Sequence, residues 1–289
     1  MNSRAEQVAA AFTWACLAEL DAPKPGNIHV FADGHNMTTD DFVRSAEAAA
    51  FGVAMEGAGV GARVLAAVQA TLSAVGANTN LGIILLCAPL AAAVEGCRAY
   101  FGLREAVGEV LRNLDIADAE LAFRAIVRAA PAGLGHSGRH DVFAPPAVTL
   151  RLAMAEAAER DRVARQYATD FADIFDLGLP LLEARITRQD ELRWATLAAY
   201  LGFLAAFPDS HIVRKFDTKA ACAVQRNAQA FFAELKSAAH PSQLLPGLLA
   251  WDSSLKAAGL NPGTSADLTV ATLFAYRLRT VLPSAPKSD

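Results

Sequence analysis

The chain has 289 residues, 53% of them hydrophobic and 19% charged, and its 26 basic against 30 acidic side chains leave a formal net charge of -4. That composition excludes a disordered or collagen-like chain and a polybasic nucleic-acid binder. A chain of this length can bury a sizeable core.

Apolar residues recur three and four positions apart through most of the sequence, and alternating Val/Ile/Thr stretches are nearly absent. An all-α fold of about ten helices is expected. At the amino terminus, Glu6, Gln7 and Glu19 stand where a secretory signal would place its apolar core and cleavage site, so a cytoplasmic protein is expected. Thr38-x-x-Asp41 reads as a capping box before a helix carrying Phe42, Val43 and Ala46. Gly76 reads as a helix terminator. The uncharged apolar run from Gly82 to Val94 is interrupted by Pro89. It falls short of the roughly 18 to 20 residues that a membrane span needs, and reads as a buried helix. Thr187-x-x-Asp190 reads as a second capping box, before a helix from Leu192 to Phe207, with Gly178 ending the helix before it and Pro208 ending this one. Asn261-Pro262-Gly263 suits a third start, with Asn261 as cap and Pro262 as first helical residue. The loops at 131–141 and 236–247 look short, and no linker, charge block or repeat divides the chain, so one domain spanning 1–289 is expected. Cys16, Cys87, Cys97 and Cys222 lack Cys-x-x-Cys spacing and read as buried free thiols.

Four polar clusters interrupt this apolar pattern. In the first, Pro23, Pro25 and Gly26 hold Lys24 in a stiff loop near Glu19, Asn27, Asp33 and His35, where the ammonium could meet an anion. A solvated interhelical turn is the alternative. The second, Asn78-Thr79-Asn80, precedes the most apolar helix and offers more polar groups than one cap requires. The third spaces Asp170, Asp173 and Asp176 three apart. On one helix such charges repel unless cations answer them, either a bound Mg²⁺ or nearby Arg162 and Arg165. The fourth, Asn261-Pro262-Gly263-Thr264-Ser265-Ala266-Asp267, is a helix start rich in small and hydroxyl residues. Two further fragments, Pro208 to Lys215 and Gly133 to His136, add basic groups and backbone donors.

Glu19 with PKPGN (Pro23 to Asn27), GANTNLGIILL (Gly76 to Leu86), RQYATDFADIFDLGLP (Arg165 to Pro180), PDSHIVRK (Pro208 to Lys215) and NPGTSADLT (Asn261 to Thr269) occur in the order seen in triphosphoribosyl-dephospho-coenzyme A synthases. The chain resembles that family over about residues 14 to 280. The resemblance implies an all-helical enzyme that uses ATP and Mg²⁺ to place a triphosphoribosyl group on the 2'-hydroxyl of 3'-dephospho-coenzyme A, releasing adenine and forming an α-glycosidic bond. Where members carry Thr-His-Lys-Gly this chain has Thr79-Asn80-Leu81-Gly82, and where they read Arg-Lys-His-Gly it has Arg214-Lys215-Phe216-Asp217. These departures leave open two alternatives. One is phosphoribosyl transfer from phosphoribosyl pyrophosphate to a cofactor precursor such as a methanopterin intermediate; the other is a non-catalytic nucleotide-binding helical module.

Breaking a ribosyl C1'–N bond calls for a base on the incoming hydroxyl and an acid on the leaving group. Asp267 or Glu19 is the expected base, with His35 as a further acid/base candidate. Lys24, Asn27, Asn78, Thr79, Asn80, Arg214, Lys215, Gly263, Thr264 and Ser265 are expected to hold the nucleotide and its phosphates. Asp173, with Asp176 and Asp33, is expected to hold Mg²⁺. On this reading Lys24→Ala and Asp173→Ala abolish turnover without harming the fold. The expected partners are small nucleotide and coenzyme-type substrates, with no nucleic acid or membrane, and the chain is expected to form a homodimer.

Overall fold

A computed structural model describes residues 3–35, 37–188 and 190–283. Among them are fourteen α-helices, more than the periodicity suggested. The first seven are α1 (Arg4–Leu20), α2 (Thr39–Val53), α3 (Val60–Val75), α4 (Leu81–Gly96), α5 (Leu103–Asn113), α6 (Ile116–Ala129) and α7 (Leu150–Ala157). The rest are α8 (Arg162–Ala168), α9 (Leu179–Thr187), α10 (Leu192–Ala206), α11 (Ser210–Lys215), α12 (Thr218–Ser237), α13 (Leu245–Ala257) and α14 (Gly263–Arg277). The described residues form no strand, only isolated bridges such as His29 with Ala32. None of the described helices is long and apolar enough to cross a membrane.

Local chemistry explains most helix ends. Thr38 and Asp41 form the expected capping box of α2, and Gly76 closes α3 in the left-handed conformation. The second expected box does not form: Thr187 is the last residue of α9 and bonds back to Glu183 O, while Asp190 pairs with Arg185. Glu191 is the cap of α10 instead. Gly178 does not end a helix. It continues from a π-helical turn (Asp173–Gly178) straight into α9, and a Cβ there would strike Phe203 and Thr272. Close packing against α10 and α14 is therefore what demands glycine.

α4 is the central helix of the larger core, buried on all sides, as its uncharged apolar run requires. Pro89 lies in its interior, where a missing N–H orphans the carbonyl four residues earlier. That carbonyl belongs to Leu85, and the Tyr167 hydroxyl of α8 donates to it at 2.7 Å. The proline therefore docks α8 onto α4. A smaller core gathers α10, α12 and α13, and α10 serves both: Ala195, Ala199 and Phe203 face the larger, Leu197, Tyr200 and Leu201 the smaller. Cys16, Cys87 and Cys97 are buried free thiols, whereas Cys222 is half-buried.

The three aspartates of the third cluster do not share a helix. Asp170 and Phe171 take positive φ angles, 49° and 60°, which breaks the chain between α8 and the π-helical turn. Asp170 pairs with Arg151 at 2.9 Å, Asp173 with Arg162 at 2.7 Å, and Asp176 with Arg104 at 2.5 Å. Each charge is thus answered by an arginine. Between α6 and α7, residues 130–149 form an irregular segment longer than expected. Such segments are seldom idle.

Candidate active site

A cavity of about 770 Å³ opens between the turn after α1, the start of α4, the 130–149 segment, α11 and the start of α14. Three of the four polar clusters reach its wall, since Glu19, Asn27, His35, Asn78, Thr79 and Asn80 line it. Gly263, Thr264 and Asp267 of the fourth cluster line it too, together with Arg214 and Lys215 of α11.

Asp267 is the distinctive group. Its carboxylate makes no hydrogen bond or ion pair among the described residues. It rests against Gly82 at the start of α4, where any Cβ would collide with it. Burial pushes its carboxyl well above the usual carboxylate range, and the nearby Asp209, Glu19 and Asp161 carboxylates push it the same way. One helical turn back, Gly263 makes room for His211, whose Nδ1 would lie 2.7 Å from a Cβ there. Burial, then the Arg214, Lys215 and His35 charges, bring His211 down to about 4, so it stays neutral at physiological pH.

Glu19 also faces the cavity, but in an ion pair: Lys24 Nζ lies 2.5 Å away. Burial pushes the Glu19 carboxyl up and the Lys24 ammonium down, and the contact opposes both shifts. Lys24 is 0% exposed and also donates to Asn27 Oδ1 at 2.9 Å and Ile28 O at 2.6 Å. Its three N–H donors are thus used inside the protein. Asn27 passes the link onward, donating to Asn261 Oδ1 at 2.9 Å. His35 lines the cavity and donates from Nε2 to Gly26 O at 2.8 Å.

Residues 5–285 match the sequence profile described as ATP:dephospho-CoA triphosphoribosyl transferase. The chain belongs to that family. The transferase therefore moves a triphosphoribosyl group from ATP to dephospho-CoA. No curated protein sequence matches the chain. A crystal structure from Archaeoglobus fulgidus, titled as a candidate triphosphoribosyl-dephospho-CoA synthase, shares the fold with a TM-score of 0.62 at 21% identity, over 81% of this chain and 97% of that one.

Within the transferase cavity the remaining expected residues divide. Asn78 caps the first turn of α4, accepting from Leu81 N at 3.1 Å, and Thr79 and Asn80 bond to Ser45. Arg214 spans two elements, donating to Ala132 O at 3.1 Å and Asp161 Oδ2 at 2.9 Å. Lys215 is exposed on the rim with no ion-pair partner among the described residues. Ser265 is turned away from the cavity: its N–H and hydroxyl both donate to Asp209 Oδ2 at 2.8 Å. The expected start of α14 is shifted by one residue, with Pro262 as cap.

The expected Mg²⁺ ligands do not converge. Asp33 accepts from Thr39, Asp173 is gripped by Arg162 and Gln166, Asp176 by Arg104, and none of the three lines the cavity. Among the described residues no three His, Cys, Asp or Glu side chains are grouped to hold a metal.

Sequence reasoning passed over Asp209, His211, Asn261 and Arg160 as site residues. Asp209 is fully buried and accepts from the starts of both α11 and α14, fixing these two cavity edges to one carboxylate. Its position in Pro208-Asp209-Ser210, a typical cap before a short helix, was the available signal.

Proposed function

We propose that adenine leaves ATP in this cavity with Asp267 as the acid and Glu19 as the base. The observation that carries the reading is the Asp267 carboxyl, without a partner among the described residues, which burial and three neighbouring carboxylates push toward its protonated form. As C1'–N9 breaks, that proton passes to the departing adenine nitrogen. As the acceptor 2'-oxygen bonds to C1', its proton passes to the Glu19 carboxylate, which Lys24 keeps ionised. ATP is a β-nucleoside, so an α-linked product requires inversion, and a single displacement needs this division between one acid and one base.

Lys215 and the free edge of Arg214 are placed to take the triphosphate, assisted by Asn78 to Asn80, Thr264 and Asn261 on the facing walls. Lys24 acts one layer behind, holding Glu19 and Asn27 in position. Mg²⁺ enters with ATP, carried by phosphate oxygens and water. His35 orders the Gly26 turn at the cavity wall.

The test is release of free adenine from ATP in the presence of dephospho-CoA, separated chromatographically. Asp267→Asn is expected to lower kcat by about 10² to 10⁴-fold while ATP binding, read by calorimetry, persists. Unchanged turnover would remove Asp267 from the chemistry. Pyrophosphate release from phosphoribosyl pyrophosphate, with none of this from ATP, would reassign the donor. ATP binding with no adenine release would favour the non-catalytic module.

A further inference from the structure

The reacting groups account for only part of the cavity's lining. Leu85 lies three residues beyond Gly82 on the same side of α4, about 4.5 Å further along the axis. From there the wall turns apolar: Leu85, Ile126 of α6, Met154 of α7 and Val163 of α8 face the space, and Leu134 of the 130–149 segment completes it. A triphosphate has no use for such a surface, because burying phosphate against hydrocarbon leaves its charge unanswered.

A cation also lines the cavity. Arg160 lines the cavity beside Asp161, the residue that grips Arg214. Its guanidinium donates to Glu156 O at 3.1 Å and Ser137 Oγ at 3.2 Å and has no carboxylate partner among the described residues. The 130–149 segment is held in shape from within: Asp141 accepts from Ser137 N, Phe143 N and His136 Nδ1 at 2.9–3.0 Å. Its irregular backbone leaves N–H and C=O groups that no helix consumes.

We propose that this apolar lining holds the pantetheine arm of dephospho-CoA, with Arg160 meeting the diphosphate that joins the arm to the nucleoside. The inference rests on the transferase reading and extends it to the acceptor. The lining offers a partner for each part of that molecule: Glu19 for the reacting ribose hydroxyl, Arg160 for the diphosphate and the apolar residues for the arm. The arm is a gem-dimethyl carbon and short methylene chains broken by two amides. It needs hydrocarbon walls with a few backbone hydrogen bonds, which α4, α6, α7, α8 and the irregular segment together provide.

Calorimetry on the full chain tests this with dephospho-CoA and with ADP, which carries the same nucleoside diphosphate and no arm. The wild type should bind dephospho-CoA at least about tenfold more tightly than ADP, a difference of about 1.4 kcal/mol. Met154→Trp fills space along the apolar lining and Leu134→Asp charges that lining from outside any helix; either should erase the preference and leave ADP affinity unchanged. Unchanged ADP binding also reports an intact fold. Arg160→Ala should weaken both ligands together. Equal wild-type affinities, or apolar-lining variants that weaken ADP as much as dephospho-CoA, would overturn the proposal, and an Arg160→Ala variant with both affinities intact would remove the diphosphate contact. Binding is read without turnover, so a failure of the acid/base assignment would leave this preference standing.

Discussion

The two walls of the cavity use polar residues in opposite ways. Along the turn after α1 and the start of α14, Lys24 spends its donors on Glu19, Asn27 and Ile28, while Asp209 collects both helix starts. Along the 130–149 segment and its neighbours, Arg160 and Lys215 stand at the rim with no carboxylate partner among the described residues. Much of the wall carrying the most distinctive motifs, PKPGN and NPGTSADLT, is framework, although it also presents Glu19 and Asp267 to the cavity. The other wall, which carries neither of these two motifs, holds Arg160 and Lys215, cations still able to meet a phosphate. A distinctive motif can thus mark a shape that must be kept as readily as a contact with substrate.

The sharpest way to break that comparison is Lys24→Ala. It strands the buried Glu19 carboxylate, so a loss of about 3 to 5 kcal/mol in urea unfolding is expected, with turnover lost as a consequence. Glu19→Gln combined with Lys24→Met should recover most of the stability and none of the activity. A fully stable, inactive Lys24→Ala protein would instead restore Lys24 as a phosphate contact. Asp209→Ala uncaps two helices at once and should cost about 1 to 4 kcal/mol, at about 0.5 to 2 for each cap. A melting temperature near wild type would show that water replaces the carboxylate at both ends.

Asp267 gives a pH-dependent contrast. Its folded pKa is raised above the ordinary 3.8, so the folded chain holds this proton more tightly than the unfolded one. The stability this contributes is present below about pH 3.8 and is lost as pH rises through the folded value. Asp267→Asn should therefore gain stability relative to wild type as pH rises above about 3.8, measured by urea unfolding. A constant difference over that range would mean that the carboxyl is not protonated in the folded chain. The smallest effect is expected from Asp141→Ala. It frees the 130–149 segment, raising hydrogen exchange there while global unfolding stays nearly unchanged; a large global loss would make the segment part of the core.

Much of the helical architecture was legible in order. The Thr38 box, the Gly76 terminator and the buried helix through Pro89 follow from capping and hydrophobic pattern, which act within a few residues. The Thr187 box failed because Arg185 claims Asp190, whereas α9 runs on through Thr187. The acidic cluster misled for a related reason. Three aspartates spaced for one helix are separated by a positive-φ break, and three arginines from different elements pair with them one by one. Among site residues, Glu19, His35, Arg214 and Asp267 reach the cavity, whereas Ser265 and Lys24 look the same in sequence and are turned into the framework.

The sequence by itself determined the helical class, several of the helix ends and the family, because propensity, capping and motif order are properties of neighbouring residues. Tertiary structure decided which charges stay free. Whether an aspartate becomes an acid, a cap or an ion-pair partner depends on what packs against it from distant segments. Asp267 meets a glycine, Asp209 two helix starts, and Asp173 an arginine. Burial and partners set the chemistry of a charge, and no local pattern specifies either.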